Sequence, residues 1–154
     1  MTTQYTADQV ADWYLAQDSM SPKKLQKLLY YAYAWVLTLT NEDDHHLDNQ
    51  LFNDHFEAWV HGPVLPEVYR KYREYGYHNI PKQVNVPQFS DEVEDILQQV
   101  WEEYGSYTAD ELESITHQEK PWQMARQGIS PLNASSKELS DQAIFDYYMA
   151  QSVI

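Results

Sequence analysis

The chain has 154 residues and no cysteine, and its 24 Asp and Glu residues against 10 Lys and Arg give a formal net charge of −14. The lack of cysteine excludes disulfide bonds, thiolate zinc sites and a cysteine nucleophile, and it fits a reducing compartment. The negative charge disfavours direct binding to nucleic acid. Because no stretch approaches the roughly 20 apolar residues that a membrane span needs, we expect a cytoplasmic protein without membrane partners. A chain of this length suits one domain, which we expect to comprise residues 1–154.

The charges are unevenly distributed along the chain. The few cations form two small groups, Lys23, Lys24 and Lys27 in the first and Arg70, Lys71 and Arg73 in the second. Seven acidic residues lie between Lys27 and Arg70, and ten lie between Lys82 and Lys120, with no Lys or Arg in either gap. Such acidic stretches are either solvated helix faces or docking surfaces for a basic partner.

The first helices are predicted from their starting residues. Thr6 begins a capping box, so a helix should start there and end near Gln17. Ser21 followed by Pro22 starts a second and longer helix. Its leucines and aromatic residues keep one apolar stripe to about Leu39, which is typical of a central helix.

Five further helix starts follow along the chain. They lie at Pro66, Ser90, Thr108, Pro121 and Ser140. Three of the four glycines fall where these helices should end, namely Gly76, Gly105 and Gly128. The pattern therefore predicts about seven helices in a mainly α, compact bundle.

Only a small β element fits between the helices. The run that begins at Phe56 and ends at Val60 favours an extended conformation, and a second extended element is allowed where Val84 and Val86 alternate in a proline-interrupted loop. Gly62 lies in an irregular His-Gly-Pro segment between the first of these runs and the next helix.

Six histidines raise the question of a metal site. His45, His46, His55 and His61 fall within 17 residues, beside several aspartates. Their spacing matches no recognised ligand pattern, and signatures of a nucleophile or of a phosphate-binding loop are missing. We therefore expect no metal, no cofactor and no catalytic residue. A metal-dependent hydrolase that uses residues 45–61 is the enzymatic alternative.

Four ordered motifs carry a family resemblance. They are KLQKLLYYA at 24–32, FEAWVHGPV at 56–64, PEVY at 66–69, and the stretch from Leu112 through Thr116 and His117 to Pro121 and Trp122. This ordered set resembles the SocA-like family, also called the Panacea antitoxin domain, over nearly the whole chain. The resemblance implies a helical protein that is encoded beside a toxin in bacteria, prophages or other mobile elements. It further implies neutralisation of that cognate protein toxin by direct binding, without enzymatic activity or cofactor.

The resemblance leaves alternatives open. Some family members look like proteolytic adaptors that deliver a toxin to an ATP-dependent protease, which would then be a second partner. The acidity favours a basic toxin, but it also fits a phage-encoded acidic inhibitor that imitates nucleic acid. No added DNA-binding domain is recognised, which argues against autoregulation of the operon.

The motif residues divide into three sets with different expected roles. The apolar set is expected in the core and consists of Leu25, Leu28, Leu29, Tyr30, Trp59 and Trp122. Gly62 and Pro63 are expected to set the backbone geometry. The third set is polar or amphipathic and is predicted to line a groove beside the Gly62-Pro63 turn, where it would recognise the partner: Lys24, Gln26, Lys27, Tyr31, His61, His117 and Glu119.

Overall fold

The computed structural model describes residues 5–152, so both ends of the predicted 1–154 domain lie outside the described residues. The helices are α1 (Ala7–Gln17), α2 (Pro22–Thr40), α3 (Pro66–Tyr72), α4 (Asp91–Tyr104), α5 (Ala109–His117), α6 (Lys120–Ala125) and α7 (Asp141–Ser152). A 3-10 turn, Arg73–Tyr75, extends α3, and two short strands, β1 (Glu57–Trp59) and β2 (Gly62–Val64), form an antiparallel hairpin. The prediction of a mainly α fold with about seven helices is confirmed.

The central helix α2 is enclosed by the other elements. It packs against α1, α3, α4, α5, α7 and β2. Thirteen of its 19 residues are buried, which exceeds the single stripe of an ordinary surface helix. The polar residues Gln26 and Lys27 are therefore inside the protein. No helix within residues 5–152 combines the length and apolar character that crossing a bilayer requires.

The helix starts follow the capping chemistry of the sequence. Thr6 and Thr108 each form a reciprocal capping box with the residue three positions later. Ser21 and Ser90 each accept a backbone N–H of the first turn. These predicted starts are confirmed, because each serine or threonine satisfies a backbone donor that the helix itself leaves unpaired.

The hairpin is the small β element that the sequence predicts around Phe56 and Val60. Trp59 pairs with Gly62 at its turn end. The other edge of β1 is covered by a later segment, since Ala58 N–H donates to the Lys137 carbonyl at 2.8 Å and Leu139 N–H donates to the Phe56 carbonyl at 2.9 Å.

The second β element that the sequence allowed, at Val84 and Val86, does not form in the described chain. Val84 is 91% exposed and Val86 is 53% exposed, so this segment has no partner strand to bury either side chain. Pro81 and Pro87 flank it, and proline removes a donor that a strand ladder needs.

A buried arginine holds the loop after α6 against the hairpin. Arg126 donates to the carbonyl oxygens of Ala58 at 2.7 Å, Ser130 at 2.9 Å and Asn133 at 2.6 Å. Its guanidinium is thereby satisfied by backbone acceptors rather than by a carboxylate. This contact fixes residues 130–136 beside β1, where they help to form the groove described next.

Candidate partner-binding groove

Lys27 is a lysine in the interior of the protein, with 1% of its surface exposed. Its Nζ donates to the Pro63 carbonyl oxygen at 3.2 Å. An ammonium carries three donors, and Pro63 is the one acceptor that the described residues give it. Burial lowers the pKa of Lys27 to about 7; the charge of Lys23 acts in the same direction and that of Glu113 opposes it.

The hairpin turn accommodates Lys27 because residue 62 is glycine. Gly62 has φ +112°, a conformation that L side chains rarely adopt. A Cβ at this position would lie 2.7 Å from Cε of Lys27 and 3.0 Å from Oγ1 of Thr116. The glycine therefore serves both the turn and the close passage of the lysine side chain.

A cavity of about 890 Å³ lies over this contact. It is lined by the first turns of α2, the hairpin, one side of α3 with the residues that follow it, and residues 134–136, and we call it the Lys27 groove. Its charged lining residues are Lys23, Lys27, Arg73 and Glu57. Three of the chain's 10 Lys and Arg residues thus line the groove, against one of its 24 Asp and Glu residues. Lys23 and Lys27 come from the first cation group of the sequence, and Arg73 comes from the second.

Glu113 of α5 organises the rim. Its carboxylate forms an ion pair with Lys23, and its Oε2 lies 2.9 Å from Nδ1 of His61. Burial tends to raise the pKa of Glu113, but the hydrogen bonds from Lys23 and His61 outweigh it and hold that pKa below the usual range. The Glu113 carboxylate thus already contacts Lys23 and His61 at the rim. His61 itself is exposed at the turn.

Aromatic side chains form much of the remaining lining. Trp59 donates its indole N–H to Oε1 of Glu57 at 2.9 Å. Its ring packs edge to face on Tyr69, with the ring centroids 4.9 Å apart. Tyr77, also part of the lining, is 99% exposed. The expectation that Trp59 belongs to the core is wrong, because Trp59 is only half-buried and lines the groove. Trp122 is also half-buried, but it packs against the core. It donates its indole N–H to the Trp59 carbonyl at 2.9 Å and supports the hairpin from behind.

Three of the predicted recognition residues line the groove: Gln26, Lys27 and His61. The Gln26 side chain bonds both the N–H and the carbonyl of Leu65, at 2.8 and 3.1 Å, so its amide fixes the start of α3. Lys24 lies outside the groove, where it donates to the Gly105 carbonyl at 2.6 Å near the Trp101 ring.

Tyr31 and Glu119 lie in an internal hydrogen-bond network rather than in the groove. Oε1 of Glu119 accepts from the hydroxyls of Tyr31 at 2.8 Å and Tyr148 at 2.7 Å. Tyr104 stacks on Tyr31 with ring centroids 3.9 Å apart. Burial raises the pKa of Glu119, and the two tyrosine hydroxyls oppose the rise. The network ties the start of α6 to α2 and α7.

His117 also lies behind the groove. Its ring stacks on that of Trp122, with the ring centroids 4.0 Å apart. Its Nε2 is buried and has no hydrogen-bond partner among the described residues. Burial lowers the pKa of His117, and Glu113 partly offsets this.

Sequence reasoning missed three lining residues of the groove, Tyr69, Arg73 and Tyr77. The available signal was the second cation group, which has tyrosines beside its charged residues.

The acidic alternative surface is α4. Its exposed carboxylates are Asp91, Glu92, Asp95, Glu102 and Glu103. A smaller cavity of about 360 Å³ lies between this helix and the end of α2, where Leu39 is 49% exposed. Its lining contains no buried charged side chain, and Glu103 is its one charged residue, whereas the Lys27 groove has a buried lysine.

The histidine-rich segment is not arranged as a metal centre. His45 and His46 are both exposed. Nε2 of His45 lies 3.5 Å from a carboxylate oxygen of Asp44, and Nδ1 of His46 lies 3.5 Å from one of Asp43. Across residues 5–152, no three His, Asp or Glu side chains converge as metal ligands would. The geometry gives the hydrolase alternative no support.

Comparison with protein families places residues 25–123, more than half of the chain, in a match to the family described as "Antitoxin SocA-like, Panacea domain". The matched region contains most of α2, the hairpin, α3, α4, α5 and the first residues of α6. It therefore includes the lining residues from Gln26 to Tyr77. No curated protein and no solved structure gave a significant match.

Replacing Lys27 by Met should remove a pH dependence of stability. The pKa of Lys27 is about 7 in the folded chain and its ordinary value is 10.5, so between these values the unfolded chain binds the extra proton. The free energy of unfolding of the wild type should therefore rise with pH from about 7 to 9.5, by at most about 1.4 kcal/mol per pH unit. Urea unfolding of both proteins across this range measures the difference. The exposed Lys82→Met variant should keep the wild-type slope, and identical slopes in all three proteins would contradict the assignment.

Replacing Gly62 by Ala should destabilise the fold through two separate effects. A positive φ costs an alanine about 1–2 kcal/mol, and the crowding against Lys27 should add about 1–3 kcal/mol. Gly128→Ala is the matched control, because Gly128 has φ +82° but open space around its Cβ position. Chemical denaturation should show a larger loss for Gly62→Ala, and equal losses would remove the claim that Lys27 crowds the turn.

Proposed function

Since the chain belongs to the SocA-like antitoxin family with the Panacea domain, we propose that it is the antitoxin of a toxin–antitoxin pair and neutralises a cognate protein toxin by binding it directly. We assign the toxin-contacting surface to the Lys27 groove. The observation that carries this assignment is that motif residues of the family segment, Gln26, Lys27 and His61, converge on one cavity of about 890 Å³.

The composition of the groove supports a role in protein recognition. Binding energy at protein interfaces concentrates on Trp, Tyr and Arg in central pockets, and Trp59, Tyr69 and Arg73 line this one. Arg73 forms no ion pair with any residue between 5 and 152, so it is free to meet a partner. The carboxylates of α4 act at longer range by attracting a basic partner and raising its rate of encounter.

The remaining predicted residues support the groove from behind. Tyr31 and Glu119 join α6 to α2, and His117 stacks on the tryptophan that holds the hairpin. Lys24 joins α2 to the end of α4. We propose that these contacts set the position of the groove residues rather than touch the toxin.

The antitoxin unit includes more than the matched region. Helices α1 and α7 lie outside residues 25–123, yet both pack on α2 and bury its apolar side chains. We therefore propose that residues 1–154 act as one domain, in a reducing cytoplasm that the cysteine-free composition suits.

Co-expression with the protein encoded by the adjacent gene tests the proposal. The neighbour alone should arrest growth, and this chain should restore growth and co-purify with the neighbour. The paired substitution His61→Ala and Arg73→Ala should weaken both rescue and co-purification by about tenfold or more, since it removes exposed groove side chains without touching the core. The matched control, His46→Ala with Arg70→Ala, removes the same side chains outside the groove.

The level of the neighbour protein separates direct neutralisation from delivery to a protease. Under direct neutralisation the neighbour should persist in rescued cells as a complex. A fall in its level that is reversed in a protease-deficient host would show the adaptor mechanism instead. A neighbour that is not toxic, or rescue without any complex, would contradict the proposal.

A further inference from the structure

We propose that the Lys27 groove accepts an acidic side chain of the partner, presented on a peptide segment with apolar or aromatic neighbours. This rests on the proposed function, because it names the chemistry of the toxin segment that the same groove would hold. The determinant is the Lys27 ammonium at the base of the groove, which an incoming carboxylate would meet as its counter-ion.

Residues 5–152 provide no counter-ion for Lys27. Its hydrogen-bond partner is the neutral carbonyl of Pro63, and no carboxylate among the described residues lies within ion-pair distance of Nζ. The nearest acidic candidate, Glu113, is engaged by Lys23 and His61. Buried charges are normally paired, so a buried lysine that lines a cavity and has no carboxylate partner marks a place for an anion.

The charge of the lining points in the same direction. The lining carries Lys23, Lys27 and Arg73 against Glu57, on a chain whose overall charge is −14, although Lys23 is itself paired with Glu113 and Asp110. The Glu57 carboxylate accepts the Trp59 indole N–H, which holds it against the hairpin. Lys27 and Arg73 thus remain without a carboxylate partner among residues 5–152, and an anionic group is complementary to them.

The shape and the lining favour a peptide segment over a small free anion. About 890 Å³ is far larger than one carboxylate or phosphate, and Trp59, Tyr69 and Tyr77 offer apolar contact around the cationic base. The groove is open to solvent on one side, and Ala134 and Ser136 of its lining are exposed, so a peptide segment can enter and leave it. An acidic residue with apolar neighbours would satisfy the ammonium and the aromatic lining together.

Selection of linear peptides from a random display library on the intact protein tests this inference without the toxin. The selected peptides should share an Asp or Glu next to an apolar or aromatic residue. Lys27→Met should weaken the best peptide by ~10-fold or more, because it removes a charge-assisted hydrogen bond from a desolvated site. The peptide's own Glu→Gln or Asp→Asn variant should lose as much, with no further loss when both changes are combined.

Two controls accompany this test, an exposed lysine outside the groove and a check that the Lys27 variant is folded. Lys82→Met, an exposed lysine outside the groove, should leave the affinity unchanged, and circular dichroism should show that Lys27→Met is folded. Selected peptides without a shared acidic residue, or unchanged affinity in Lys27→Met, would overturn the inference. So would tighter binding of inorganic pyrophosphate than of the peptides, which would mark a small-anion site. These results leave the co-expression test untouched, so failure of the carboxylate assignment and failure of the antitoxin assignment are distinguishable.

Discussion

Burial of the Lys27 ammonium beneath the Gly62-Pro63 backbone is the contact on which the groove depends. The central helix is enclosed by neighbouring elements, so a lysine in its second turn cannot extend into solvent and instead passes against the hairpin. Gly62 gives it room, and Pro63 gives it one acceptor. A buried cation without a carboxylate destabilises a fold, and perturbed ionisable groups of this kind are concentrated at functional sites. We interpret this arrangement as a site at which a partner would supply the missing counter-ion.

The groove and the rest of the surface carry opposite charge, and the two act at different ranges. The net charge of −14 and the exposed carboxylates of α4 would attract a basic partner from a distance, an effect that salt screens beyond about 8–10 Å. The buried Lys27 acts only on contact and is screened much less. A basic toxin that presents one acidic residue to Lys27 would satisfy both, and this combination would discriminate against proteins that are merely basic.

Local chemistry made much of this fold predictable, whereas the groove required tertiary structure. Thr6, Ser90 and Thr108 cap helices through contacts three residues away, so the sequence alone locates those starts. The burial of Lys27 depends on a turn 36 residues later, and no helical pattern predicts it. The expectation that Trp59 is a core residue failed for the same reason, because its half-buried ring packs on Tyr69 of α3, a contact that the local pattern does not show. The family motifs include lining residues of the Lys27 groove, but only the three-dimensional arrangement separates Lys27 and His61 from Tyr31 and Glu119, which lie outside it.

The most direct test of the central claim is the pKa of Lys27 in the folded, unbound protein. Selective isotopic labelling of lysine, with the Lys27 signal assigned from the Lys27→Met variant, allows NMR to follow its Cε and Nζ resonances through a pH titration. We predict a midpoint at about 7, well separated from the exposed lysines, because burial disfavours the charged form. A midpoint near the ordinary lysine value of 10.5 would show that the ammonium is solvated or paired, and would contradict the claim that Lys27 is buried without a counter-ion in the unbound protein.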